Sequence, residues 1–344
     1  MNRTEKLQAG LDEPFLVTSP VNVHYLTGFE SSNPALLVEP DRLRLFSDGR
    51  YAEAGSQVEG VEFAVTKRNL FGDLAERLSG RIGFEADAVT YAGYETLAAG
   101  GIELVPRRGV VEKLRVVKDE EELELIRQAG RITSEAFARV AEEPFVGRTE
   151  QELAWRFLEL FHEAGADGPA YDPIVAAGPN GASPHAVPTE DVIQAGTTVV
   201  IDAACVFRGY ASDCTRTFAT GDLPERLAEA YAVCREAQQE GLEAVRPGAG
   251  GKEVDGVARD RITAAGFGDF FGHGLGHGVG LLVHEGPRLS QESEDELDAG
   301  NVVTVEPGIY LSGEGGIRIE DLVIVSEDGP DVLTSFTKEL VTVS

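Results

Sequence analysis

The sequence predicts an α+β fold, a smaller α/β segment followed by a larger domain in which an antiparallel sheet is covered by helices. Three observations carry that expectation. Short β-rich runs alternate with helical stretches up to about Pro106, and long amphipathic helices with paired strand candidates follow Asp119. The third is length, since 344 residues are too many for one ordinary core and suit two.

In the first segment the β-rich runs are FLVTS, ALLVEP, RLRLFSD, VEFAVTK, RIGFEA and IELVP, and the helical stretches include RYAEAGSQV and NLFGDLAERLSG. Leu123, Ile126, Ile132, Phe137 and Val140 then recur near helical spacing behind an acidic first turn that suits the helix dipole. The boundary is expected between Leu114 and Lys118, giving domains 1–115 and 116–344. Thr149 and Glu152 make a capping-box signal ahead of a helix bearing Leu153, Phe157, Leu160 and Phe161. Another helix is expected from Pro224, with Asp222 as a candidate cap, to about Arg246, where Pro247 and Gly248 stop it. A shorter one, KEVDGVARDRITAAG, ends at Gly266. The strand candidates around these helices are TTVVIDAACVF, GYASDCTRTFA, NVVTVEP and GIRIEDLVIV.

A formal charge of −29 argues against nucleic acid and anionic lipid as partners, because both need clustered Lys and Arg. Three cysteines with no CxxC spacing suggest neither a disulfide framework nor a thiolate zinc site, and fit a reducing compartment. Neither a leader-like apolar core at the N-terminus nor a run approaching ~20 apolar residues is visible, so a cytoplasmic protein is expected.

The chemistry is suggested by carboxylates in the wrong places. Asp202 stands in a run of Val, Ile and Ala, Asp213 lies on the returning strand, Glu306 ends VVTVE, and Glu320 interrupts GIRIEDLVIV. Each alone could face water at an edge or turn. Four acidic residues in four apolar strands would repel one another by several kcal/mol unless cations compensated, and two divalent ions offset four carboxylates. Four of the six histidines fall in two short segments, His185 in NGASPHAVP and His273, His277 and His284 in FGHGLGHGVGLLVHEGPR. The alternating glycines there let the backbone approach either a ligand or another strand. An oxygen-rich set with one imidazole suits manganese first, with cobalt, iron or zinc as the other candidates. Two such ions lower the pKa of a water and clamp an attacked carbonyl, so metal-assisted hydrolysis follows.

At these residues the chain resembles the pita-bread metallopeptidases, specifically their proline-directed branch of prolidases and aminopeptidases P. The matching stretches are DAACVFRGYASDCTRTF, GHGLGHGVGLLVHEGPR, VVTVEPGIYL and GIRIED, in the family's order and spacing. LRVVKDEEELELIRQAG, VNVHYLTGF and FSDGRY extend the resemblance to nearly the whole chain. It implies a C-terminal pita-bread catalytic domain behind a smaller creatinase-like α/β domain. It further implies five metal ligands, Asp202, Asp213, His277, Glu306 and Glu320, none of them altered here. Asp213 and Glu320 would bridge two divalent ions, Asp202 would hold one, and His277 with Glu306 the other.

The same resemblance gives Glu306 the proton transfer to the leaving proline nitrogen and sets His284 and His185 on the substrate. Both histidines could instead orient other groups. Arg288 would contact the substrate carboxylate, whereas Arg318 and His273 would support the ligands from behind. Expected substrates are proline-containing dipeptides or short peptides, the choice between dipeptidase and aminopeptidase P staying open. A non-catalytic scaffold of the same fold is the reading from another class. In relatives the N-terminal domain often forms a homodimer and brings a partner's loop to the site. His24 or Tyr25 could do so here, or could cap a strand.

Overall fold

The computed structural model describes residues 2–344, and the chain divides into two compact units, Met1–Arg115 and Val116–Ser344. In the first, all six β-rich runs form strands: β1 (Phe15–Val17), β2 (Ala35–Val38), β3 (Leu43–Asp48), β4 (Glu62–Thr66), β5 (Arg81–Glu85) and β6 (Glu103–Arg107). They make one mixed sheet in the order β4-β3-β2-β1-β5-β6. Helices α1 (Arg3–Ala9), α2 (Pro20–Thr27), α3 (Ala52–Ser56), α4 (Leu70–Arg77) and α5 (Tyr91–Ala99) accompany it. Leu74 of α4 and Leu97 of α5 pack with Leu16, Leu37, Ile82 and Phe84 of the strands, so the alternating pattern closes a core of its own.

The segment VNVHYLTGF is helix α2 and not a strand end. Pro20 opens it, where the missing N–H costs nothing, and Gly28 closes it at a φ of 70° that only glycine adopts freely. Tyr25 is buried, and its hydroxyl donates to the Leu114 carbonyl at 2.9 Å, committing it to its own unit.

Helix α6 (Glu112–Val116) leads to α7 (Glu120–Val140) and α8 (Glu150–Glu163). Both long helices begin with reciprocal capping boxes, Asp119 with Glu122 and Thr149 with Glu152. There follow β7 (Gly168–Pro169), β8 (Ile174–Ala177), β9 (Thr198–Asp202), β10 (Cys205–Phe207), β11 (Tyr210–Ala211) and β12 (Thr215–Ala219). Helices α9 (Glu225–Ala244) and α10 (Gly251–Ala264) come next. The chain ends with β13 (Gly276–Gly278), β14 (Glu285–Leu289), β15 (Val302–Val305), β16 (Gly308–Leu311), β17 (Gly315–Arg318), β18 (Asp321–Ile324) and β19 (Asp331–Val332). Pro224, not Asp222, occupies the N-cap of α9, with no side-chain capping bond.

Every strand pairing among the described residues of the second unit's sheets is antiparallel, as the α+β expectation requires. Helices α7 and α8 bury Phe137, Leu153 and Phe157 against Val175, Val199, Ile201 and Phe218. Helices α9 and α10 bury Ala237, Val254 and Ala258 against Leu275, Val303, Val305, Ile317 and Val323. Each helix pair thus covers its own group of strands.

Three expected strands are broken in two. TTVVIDAACVF splits into β9 and β10, GYASDCTRTFA into β11 and β12, and GIRIEDLVIV into β17 and β18. The breaks fall at or beside Asp202, Asp213 and Glu320, and Glu306 lies in the gap between β15 and β16. The halves of each run belong to different sheets, with β9 and β12 in one and β10 and β11 in another. A buried carboxylate cannot sit in a continuous apolar ladder without a partner, and these junctions put the four side chains where they can converge. All three cysteines are free and buried.

Candidate metal centre

The hairpin between β10 and β11 turns at Arg208 and Gly209, whose φ angles of 48° and 83° are those of a tight two-residue connection. The returning chain sets Thr215 opposite Asp202, and the Ala203 amide donates to the Cys214 carbonyl at 3.0 Å. Asp202 and Asp213 thereby face one hydroxyl, that of Tyr171, which contacts Asp202 Oδ1 and lies 2.6 Å from Asp213 Oδ1. The Glu320 amide donates to the Thr215 carbonyl at 3.0 Å, and the Thr215 hydroxyl donates to Glu320 Oε2 at 2.7 Å. Across the cluster the Glu306 amide donates to the Leu275 carbonyl at 2.8 Å. The Thr304 hydroxyl accepts from the His277 amide at 3.1 Å and donates to Glu306 Oε1 at 3.2 Å.

His277 sits on β13, read from sequence as a glycine-rich segment open to ligand or strand. It is a strand, and glycine is there because neighbours press on both sides. A Cβ at Gly276 would overlap the Thr304 carbonyl, and one at Gly278 would overlap the Gly286 carbonyl. From α10, Asp255 accepts from the Leu275 amide at 2.9 Å and Arg259 donates to the His273 carbonyl at 2.6 Å, which fixes the approach to β13. Gly276→Ala is therefore expected to lower stability by roughly 1–3 kcal/mol, the usual cost of overpacking, and to displace His277. An unchanged denaturation midpoint would show that the strand can yield.

Carboxylate and imidazole now meet. His277 Nε2 lies 3.2 Å from Glu306 Oε1 and 3.7 Å from Asp213 Oδ2. Its Nδ1 faces the Gly278 carbonyl at 3.2 Å, leaving Nε2 aimed into the cluster. One atom each from Asp213, His277 and Glu320 lie within 4.8 Å of one another, a grouping able to hold a metal ion. Asp213 and Glu320 are 3% and 2% exposed, so their charges are shielded from water.

Charge balance tests whether cations fit. Burial and the charge of Asp202 push the Asp213 carboxyl well above its usual range, and burial with the charges of Asp213 and Glu306 does the same to Glu320. Burial opposes the opposite shift in the neighbouring pair. There the hydrogen bond and charge exchanged by His277 and Glu306 win, raising the imidazole to about 9 and lowering the Glu306 carboxyl to about 2. Tyr171 has one proton for two carboxylates, so the other contact takes either a proton held on a carboxyl or a cation. The donor set is oxygen-rich, carries one imidazole and lacks thiolate, which fits divalent cations.

Arg318 supplies fixed positive charge behind the cluster. It is 4% exposed and donates to Asp202 Oδ2 at 2.7 Å, to the Tyr310 hydroxyl at 3.0 Å and to the Pro184 carbonyl at 3.1 Å. His273 Nδ1 is 2.7 Å from the Gly274 carbonyl, so in the neutral ring Nε2 accepts from the Tyr310 hydroxyl at 2.9 Å. Burial lowers the His273 pKa, consistent with that neutral form, and raises the Tyr310 phenol to about 12. Neither Tyr171 nor Tyr310 carried a sequence signal, because lone tyrosines beside strands are ordinary packing residues.

Above this floor opens a cavity of about 920 Å³ whose lining includes all five cluster residues with His185, His273, His284, Arg288 and Arg318. The His284 ring centroid is 4.3 Å from that of His277, and burial, then the His277 charge, lower its pKa. His185 and Arg288 are exposed on the cavity wall. Tyr171, Asp172, Ile174 and Glu285 also line it, and Glu285 lies 3.7 Å from the buried Lys118.

The arrangement has relatives. Residues 124–327 match metallopeptidase family M24, and residues 3–117 match the creatinase/prolidase N-terminal domain. The chain belongs to metallopeptidase family M24. The M24 family implies divalent metal ions, and the second unit has its pita-bread fold. Among M24 relatives, the Xaa-Pro dipeptidase of Pyrococcus furiosus is 37% identical over 98% of this chain and 99% of that protein. The solved Xaa-Pro dipeptidase of Bacillus anthracis superposes with a TM-score of 0.95 at 35% identity, over 99% of both chains. The X-Pro aminopeptidase of Thermotoga maritima superposes at 0.90 with 33% identity, over 99% of this chain and 100% of that one. No helix among the described residues is long and apolar enough to cross a membrane.

Proposed function

We propose that this M24 metallopeptidase hydrolyses the peptide bond preceding proline, with Xaa-Pro dipeptides as its main substrates. The observation that carries the reading is the convergence of four carboxylates and one imidazole on the floor of a cavity whose wall bears Arg288, a guanidinium with no side-chain partner among the described residues. The close similarity to Xaa-Pro dipeptidases supports the proline preference.

In this reading residues 116–344 are the catalytic unit, and Asp202, Asp213, His277, Glu306 and Glu320 hold two divalent ions, manganese ahead of cobalt, iron or zinc. When bound, such ions supply an activated water and polarise the scissile carbonyl. Glu306 takes the proton of the attacking water and passes it to the proline nitrogen, which has no N–H of its own and must leave as an amine. His284 and His185 donate to the substrate carbonyl, a contact that strengthens as its oxygen gains charge. Arg288 pairs with the free proline carboxylate through its forked geometry. Arg318 and His273 keep Asp202 and Tyr310 in place and touch no substrate.

Aminopeptidase P activity on Xaa-Pro-Yaa peptides is the second reading, favoured by the likeness to the Thermotoga enzyme and by the exposure of Arg288, which leaves room beyond proline. Hydrolysis of Ala-Pro, Leu-Pro and a matched tripeptide by the Mn²⁺-loaded protein separates the two. Faster dipeptide turnover is expected; a tripeptide preference would remove the carboxylate role from Arg288, and no cleavage of any of them would sink both readings. A cytoplasmic homodimer formed through residues 1–115 belongs to the same proposal on the strength of the family resemblance, and a monomeric mass in light scattering would remove it.

A further inference from the structure

Most of the charged side chains around the cavity have partners. Asp202 pairs with Arg318, Glu306 with His277 and Glu285 with Lys118, while Tyr171 and Thr215 serve Asp213 and Glu320. Asp172 is different: it lines the cavity and is exposed, and its side chain makes no hydrogen bond or ion pair among the described residues. Its backbone is nevertheless held on both sides. The preceding residue, Tyr171, is held by Asp202 and Asp213, and Ile174, two residues on and also in the cavity wall, begins β8.

We propose that Asp172 selects substrates with a cationic side chain, lysine or arginine, in the residue before proline; this rests on the Xaa-Pro reading above. A Xaa-Pro dipeptide brings two fixed charges and one variable one. The proline carboxylate requires a cation, which Asp172 is not. The α-ammonium stands two bonds from the scissile carbon and must stay with it near the buried floor, where Asp213 and Glu320 are 3% and 2% exposed. An exposed carboxylate on the wall is reached instead by the end of a long side chain. Lysine and arginine carry an apolar stem that lies along a surface such as Ile174 while the charged head pairs with a carboxylate.

The test compares kcat/KM for Lys-Pro and Arg-Pro with that for Met-Pro, a neutral side chain of similar reach, in the Mn²⁺-loaded protein and its Asp172→Asn variant. The ratio of cationic to neutral substrate is expected to fall roughly fivefold in the variant, the upper range for an exposed ion pair. Raising ionic strength should lower the wild-type ratio toward the variant's. An unchanged ratio, or an equal loss on every substrate, overturns the role of Asp172 while leaving the peptidase reading intact. Failure of the wild-type protein to cleave Met-Pro overturns both.

Discussion

Asp213→Ala is expected to abolish hydrolysis and bound metal together. Asp213 meets three other members of the cluster: it lies 3.7 Å from His277 Nε2, shares the Tyr171 hydroxyl with Asp202, and raises the pKa of Glu320. Removing it takes away one of the three donors that fall within 4.8 Å of one another. Loss of a partner that merely orients a ligand costs ~10- to 100-fold in affinity or activity, so loss of a donor itself should exceed that range. Stability of the metal-free protein should move the other way. A buried carboxylate beside Asp202 and Glu320 is repelled in the absence of cations, and alanine relieves that repulsion. The experiment is metal content by plasma emission, Xaa-Pro turnover, and a denaturation midpoint in chelator. Retained turnover with full metal content would overturn the ligand assignment.

This cluster was visible in the sequence because an ionised group inside an apolar β run is costly, and four such anomalies in one domain demand a common compensation. What the pattern hid was how the chain brings them together. The run TTVVIDAACVF reads as one strand because Ala203 and Ala204 are apolar and fully buried, yet both lie outside the ladder, where β9 ends and before β10 begins. A buried break between two strands leaves no trace in a hydrophobicity pattern. Glycine left a different choice open, ligand or strand: β13 is Gly-His-Gly, whose composition argues against a strand, and the Thr304 and Gly286 carbonyls that press on it come from other parts of the chain. Helix α2 shows a third kind of ambiguity, since an eight-residue segment with Asn22, Val23, Tyr25 and Leu26 all buried has no polar face to set its period. Tyr171 and Thr215 had no signal, because a hydroxyl becomes informative only once the carboxylate it serves is located.

The cluster also depends on a charge that never reaches the cavity. Arg216 and Asp321 follow Thr215 and Glu320 in sequence, and their side chains are 2% and 1% exposed. The guanidinium donates to Asp321 Oδ1 at 2.7 Å, to the Glu320 carbonyl, and to the Phe336 and Thr337 carbonyls at 2.7 and 3.0 Å. It thus clamps the backbone of a cluster residue to the C-terminal segment. Arg216→Met should destabilise the protein by about 3–5 kcal/mol, the cost of removing one partner of a buried pair. Asp321→Ala should cost at least as much. After loss of Arg216, Asp321 keeps Lys338 at 2.9 Å, Gln238 at 3.0 Å and Thr334 at 2.9 Å, and a carboxyl can take up a proton. After loss of Asp321, a buried guanidinium that cannot shed its charge is left with carbonyl oxygens alone. Urea denaturation of both metal-free variants decides the matter, and a loss below about 1 kcal/mol for each would show the pair to be no more than a surface-strength contact.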